Sequence, residues 1–140
     1  MAISPRTLSA LSIAAIAGVL SACATESAGT AVNKGQHTLT QGQQVAVTPK
    51  LTLSFDNVND SRCRKDMVCV WAGKIIYNFT LHGAIDETFS LSDNAPRYAS
   101  PSHAGVLVTL ANPGPAPLPA ATDPAPVYAV TLKLGTTDAD

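Results

Sequence analysis

Between residues 37 and 136 apolar and polar side chains alternate with period two over most of the chain. Leu51, Leu53 and Phe55 alternate with Thr52 and Ser54. Ile75, Tyr77, Phe79 and Leu81 alternate with Ile76, Asn78, Thr80 and His82, and Tyr128, Val130, Leu132 and Leu134 with Ala129, Thr131 and Lys133. Val106, Val108 and Leu110 repeat the pattern. Shorter runs lie either side of Gln41-Gly42-Gln43 and after Asp86-Glu87. Successive side chains of a strand point to opposite faces, so this alternation marks strands buried on one side. Asp56-Asn57-Val58-Asn59-Asp60, Gly83 and Gly135 punctuate the runs, and no stretch has a 3.6-residue period. The pattern predicts an all-β fold: a small antiparallel β-sandwich or barrel of about 6–8 strands. Residues 92–105 read as a loop. Residues 112–126 carry six prolines, which lack the ladder donor and predict an extended, polyproline-like crossover between the last two strands.

The first 22 residues do not fit this pattern. Arg6 precedes an Ala/Leu/Ile-rich segment of about a dozen residues, short for a membrane span and suited to a secretory signal. It ends Leu20-Ser21-Ala22-Cys23, which resembles the lipobox of bacterial lipoproteins. That resemblance implies diacylglyceryl transfer to Cys23, cleavage before it and acylation of the new terminus. Ala24, where an inner-membrane retention signal has Asp, implies the outer membrane, with the domain facing the periplasm. The expected organisation is a lipoprotein signal peptide at 1–22, a lipidated flexible tether at 23–36, a β-sandwich domain at 37–136 and a short tail at 137–140.

Charge adds an exclusion. Without Arg6, eight Lys and Arg face ten Asp and Glu, a net charge of −2. That near-neutral balance argues against a nucleic-acid partner or a polybasic membrane patch.

Cys63 and Cys69 enclose Arg64-Lys65-Asp66-Met67-Val68. Five intervening residues do not fit the redox CxxC motif, and His37, His82 and His103 share no zinc-ligand spacing with the cysteines or each other. No metal or other cofactor is expected. With Cys23 lipidated, an even pair remains in an oxidising compartment, and a disulfide closing this loop is the expectation. If a strand begins near Val68, Trp71 shares a face with Cys69 and packs on the disulfide as a core plug. Arg62, Arg64, Lys65 and Lys74 beside Trp71 form a candidate binding patch for an anionic group or a partner. A purely structural reading competes with it: Asp60 and Ser61 bond to nearby backbone in an Asx-type turn, and Arg62 pairs locally. The crowded Asp56, Asn57, Asn59 and Asp60 lack the glycine and terminal Glu of an EF-hand calcium loop.

The run Asp60-Ser61-Arg62-Cys63, a short gap, then Val68-Cys69-Val70-Trp71-Ala72-Gly73 resembles the signature of a group of small uncharacterised bacterial exported lipoproteins. Their Leu-x-Leu-x-Phe and Tyr-x-Val-x-Leu strands correspond to residues 51–55 and 128–132 here, while Arg64 stands where Pro is usual. The resemblance implies a lipid-anchored β-domain and no particular activity. No Gly-x-Ser-x-Gly elbow or phosphate-binding glycine loop is present, and Asp86-Glu87 are adjacent, which suits a turn better than an acid/base pair. The expected function is therefore a non-enzymatic envelope lipoprotein that binds an envelope protein or component. Small-ligand or metal binding in the periplasm is the alternative, followed by a hydrolase or inhibitor.

Overall fold

A computed structural model describes residues 31–111, 118 and 120–138. The signal peptide, Cys23, most of the tether and the prolines at 113, 115, 117 and 119 lie outside the described residues. Eight strands form in chain order: β1 (Gly35–Thr40), β2 (Gln44–Thr48), β3 (Leu51–Asp60), β4 (Ile75–His82), β5 (Glu87–Leu91), β6 (Arg97–Ala99), β7 (Val106–Leu110) and β8 (Ala129–Thr136). Every pairing is antiparallel. One sheet has the order β1-β8-β7-β6 and the other β2-β3-β4-β5. The all-β expectation holds, in the form of two packed sheets.

The inward positions are those the alternation marks. Val47, Leu53, Phe55, Phe79, Leu81, Val108, Val130 and Leu132 are completely buried, and Leu51, Ile75, Tyr77, Leu91, Val106 and Leu134 nearly so. Each such side chain contributes roughly 1.5–3 kcal/mol by leaving water. Aromatic rings run through this core from Tyr77 to Phe55, Phe79, Phe89 and Tyr98, with centroids 5.9, 5.3, 5.4 and 4.1 Å apart. The last step, from β5 to β6, stitches the edges of the two sheets together.

Four boundaries differ from the expectation. β1 starts at Gly35, two residues before 37. β6 forms inside the segment read as a loop, because Tyr98 docks on Phe89 and pairs with Val108. β3 does not stop at Phe55. Its pairing with β4 goes from Phe55↔Phe79 to Asn57↔Asn78, leaving Asp56 as an extra residue. This bulge resets the parity, so Val58 and Asp60 return to the inner side. Asp and Asn are poor strand formers in general, which is why the extension is hard to read. The fourth difference concerns β4, which begins at Ile75 and not near Val68.

Antiparallel alternation sorts the connections between two ends. Residues 31–34, the turns at 49–50 and 83–86, residues 100–105 and residues 137–138 lie at one end, where Asn33 N–H donates to Val47 O and Thr137 N–H to Gly105 O. Residues 41–43, 61–74, 92–96, 111 and 120–128 lie at the other, where Gln41 N–H donates to Tyr128 O.

Candidate functional site

The loop from 61 to 74 joins β3 to β4 and is fixed at its base and its middle. At the base, Ser61 N–H donates to Lys74 O at 3.0 Å, and Lys74 N–H donates to Ser61 Oγ at 3.1 Å. Gly73 closes this base with φ 67°, and a Cβ there would lie 2.0 Å from Ser61 O, so only glycine fits. Beside it, Asp60 Oδ1 accepts from Arg62 N–H at 3.1 Å and Arg62 Nε–H at 2.9 Å. Its Oδ2 accepts from Arg62 Nη2 at 2.6 Å and from the Tyr128 hydroxyl at 3.0 Å. The Asp60 side chain is 5% exposed. Burial pushes its carboxyl up, but the Arg62 and Tyr128 hydrogen bonds and the Arg62 charge outweigh this and hold it below the ordinary value. The local reading of Asp60, Ser61 and Arg62 is thus the one the structure takes, and Arg62 serves as a brace.

Further out, the Cys63–Cys69 disulfide forms, with the Cα atoms 5.8 Å apart. Arg64 Nη1 donates to Ala120 O at 3.3 Å, and Asp66 accepts from Ala121 N–H at 3.2 Å. The loop is therefore docked on the start of the 120–128 segment as well as closed on itself.

Trp71 corrects the core-plug expectation. It is 82% exposed, and it shares the tip with Met67 (57%), Val70 (90%) and Val68, which is fully exposed. The cause is the late start of β4. With no ladder before Ile75, residues 68–71 have no inward face, and the disulfide pins the loop outside the sandwich instead of seating an indole within it. Of the predicted patch, Lys65 is exposed on the outer part of the loop, Lys74 is exposed at its base, Arg64 is turned to Ala120, and Arg62 belongs to the Asp60 pair.

Two polar clusters escaped the sequence reading. On the outer face of the β2–β5 sheet, Ser54 Oγ lies 3.0 Å from His82 Nε2, and His82 Nδ1 lies 3.4 Å from Asp86 Oδ2. These distances have the order of a Ser-His-Asp relay. The single hydroxyl proton decides the chemistry. Ser54 Oγ is 2.6 Å from Asp56 Oδ1 and 3.3 Å from Thr80 O, both pure acceptors, so its proton goes to Asp56 and His82 must donate through Nε2. That is the reverse polarity from a base-activated nucleophile. Where β5 meets β6, Glu87 accepts from the Tyr98 hydroxyl, from Ser100 Oγ at 2.9 Å and from Ser102 N–H at 3.3 Å. Burial raises the Glu87 carboxyl, but these hydrogen bonds win and hold it below its ordinary value. Burial first, then the bond to Glu87, push Tyr98 up to about 12. The signal that could have found Glu87 is Tyr98 in a short strand with Ser100 just after it, hidden because the segment read as loop.

Among the described residues no three His, Cys, Asp or Glu side chains gather as metal ligands. Comparison with protein-family models, curated protein sequences and solved structures finds no match for this chain.

Proposed function

We propose that the protein is a non-enzymatic lipoprotein of the cell envelope, anchored through Cys23 to the outer membrane, whose sandwich presents the 63–71 tip to a partner protein in the periplasm. The observation that carries this reading is the exposure of Met67 and Val68 within the disulfide-closed ring and of Val70 and Trp71 directly after it. Single exposed apolar residues are ordinary, but four on a pinned loop are a recognition surface. Trp and Met are enriched where proteins bind one another, and a loop already held by Asp60, Gly73 and the disulfide loses little entropy on docking. Lys65 beside Met67 and Val68 fits a partner whose apolar pocket has an acidic rim.

A protein is favoured over the anchoring bilayer because the tip lies at the opposite end of the sandwich from residues 31–34, where a lipid tether would join the domain. The test is site-specific photocrosslinking of the full chain in its native envelope, with the photoreactive residue at position 68 or 70, and at Ser90 on a sheet face as the control. The expected result is a discrete protein adduct from the tip positions that Trp71→Ala abolishes and Ser90 never gives. Adducts to lipid alone, or the same adducts from Ser90, would overturn the reading.

A further inference from the structure

The outer face of the β1-β8-β7-β6 sheet carries a feature that the tip does not use. Register places its outward side chains in rows. Gln36, Lys133, Thr109 and Arg97 form one row, because Gln36 pairs with Lys133, Lys133 with Thr109 and Thr109 with Arg97. In the row below, Gly135 pairs with Leu107 and Leu107 with Ala99, and Lys34 precedes β1 at the same level. Gly135 has no side chain, and nothing lies within 4 Å of where its Cβ would sit. The lower row is therefore hollow, and a cavity of about 290 Å³ opens there, walled by Lys34, Arg97, Lys133, Thr109 and Leu107.

Three cations thus share one small cavity. Its lining holds no Asp or Glu, and neither do the outward positions of the four strands around it. Among the described residues, the charged ends of Lys34, Arg97 and Lys133 have no hydrogen-bond or ion-pair partner. The Thr109 hydroxyl at the centre of the row is likewise without one. Higher on the same face the Thr38 and Thr131 hydroxyls satisfy each other at 2.9 Å, whereas the Thr109 hydroxyl, beside the cations, is left open to a ligand. Lys133 and Arg97 stand two strand spacings apart, about 10 Å at the backbone, within reach of one bound group between them. Gathering three like charges without a counter-ion is unfavourable. In a chain of net charge −1, no general basicity accounts for it.

We infer that the hollow bounded by Lys34, Arg97, Lys133 and Thr109 is an anion-binding site for a phosphate group, taken either as a free small phosphate or as a phospholipid headgroup. Arg97 supplies a planar fork suited to two phosphate oxygens, the lysines supply point charges, and Thr109 supplies a neutral donor. Gly135 supplies the room. The site is independent of the partner-binding tip, from which it differs in face and chemistry.

The test uses the full chain in neutral detergent micelles, followed by amide NMR at Gly35, Leu107 and Gly135. One arm titrates inorganic phosphate against sodium chloride at equal ionic strength. The other dopes the micelles with phosphatidylglycerol. The expected result is a saturable shift at these amides in at least one arm, which also identifies the source of the phosphate. Binding should weaken about tenfold for each of Arg97→Gln and Lys133→Gln, by loss of a charge-assisted contact, and vanish when Lys34→Gln is added. Trp71→Ala should leave it unchanged, which separates failure here from failure of the tip reading. All three residues are exposed, so folding is retained, and the dispersed spectrum verifies it. Shifts that follow ionic strength in chloride as in phosphate, or that survive the triple substitution, would overturn the inference.

Discussion

The loop at 61–74 and the two strands it joins contain the same kinds of residue and treat them in opposite ways. In β3 and β4 Leu53, Phe55, Phe79 and Leu81 are completely buried, while Val68, Val70 and Trp71 between those strands are almost fully in water. The difference lies in backbone pairing. A ladder partner gives each strand residue a fixed face, and the second sheet covers that face. The loop has backbone bonds at its base and a disulfide across its middle, but no ladder. Apolar character therefore reports burial only where pairing turns the side chain inward, and outside the ladder the same residues make surface.

The largest expected effect tests the buried half of that contrast. Phe79→Ala removes a ring packed between Phe55 and Phe89 and is expected to cost about 3–5 kcal/mol in denaturant unfolding, while Trp71→Ala shifts the same curve by less than about 0.5 kcal/mol. Equal costs would abolish the distinction. Next comes the disulfide. Replacing Cys63 and Cys69 by Ser should lower stability by about 2 kcal/mol, as expected for so short a closed loop. Far-ultraviolet circular dichroism should keep its β signal, because no core residue depends on the bond.

The smallest expected effect concerns the charged brace at the junction. Asp60 lies below its ordinary 3.8 and Glu87 below its ordinary 4.5, in both cases because hydrogen bonds outweigh burial. Groups with lowered values stabilise the fold fully above the unfolded value and lose that contribution as pH falls through the folded one. Stability should therefore be level above about pH 5 and fall as pH drops through the carboxylate range, with Asp60→Asn removing part of the slope. At the alkaline end the sign reverses. Tyr98, raised from 10.0 to about 12, withdraws stability as pH climbs through that interval. Melting temperature against pH checks both limbs.

Much of the fold was legible because period-two alternation follows directly from strand geometry, and the core from Leu51 to Leu134 falls on the marked positions. The cysteine pair was legible from its spacing and the expected compartment. Trp71 was not, because its placement turned on whether the ladder starts at Val68 or Ile75, which is set by β3 beyond the Asp56 bulge. Glu87 with Tyr98, Ser54 with His82, and the Lys34, Arg97 and Lys133 hollow depend on which strands lie side by side. Cross-strand neighbours far apart in sequence leave no local trace, and strand order was beyond what alternation supplies.

Gly73 has a consequence for engineering. It closes the hairpin with a backbone shape that no other residue can take there, and does so together with Ser61 and the two sulfurs. None of these closing elements involves the side chains at 65, 67, 68, 70 or 71. A randomised library at those five positions should yield folded proteins throughout, making the molecule a display scaffold whose variable segment is constrained at both stems, whereas a library that includes position 73 should lose its folded members wherever glycine is replaced.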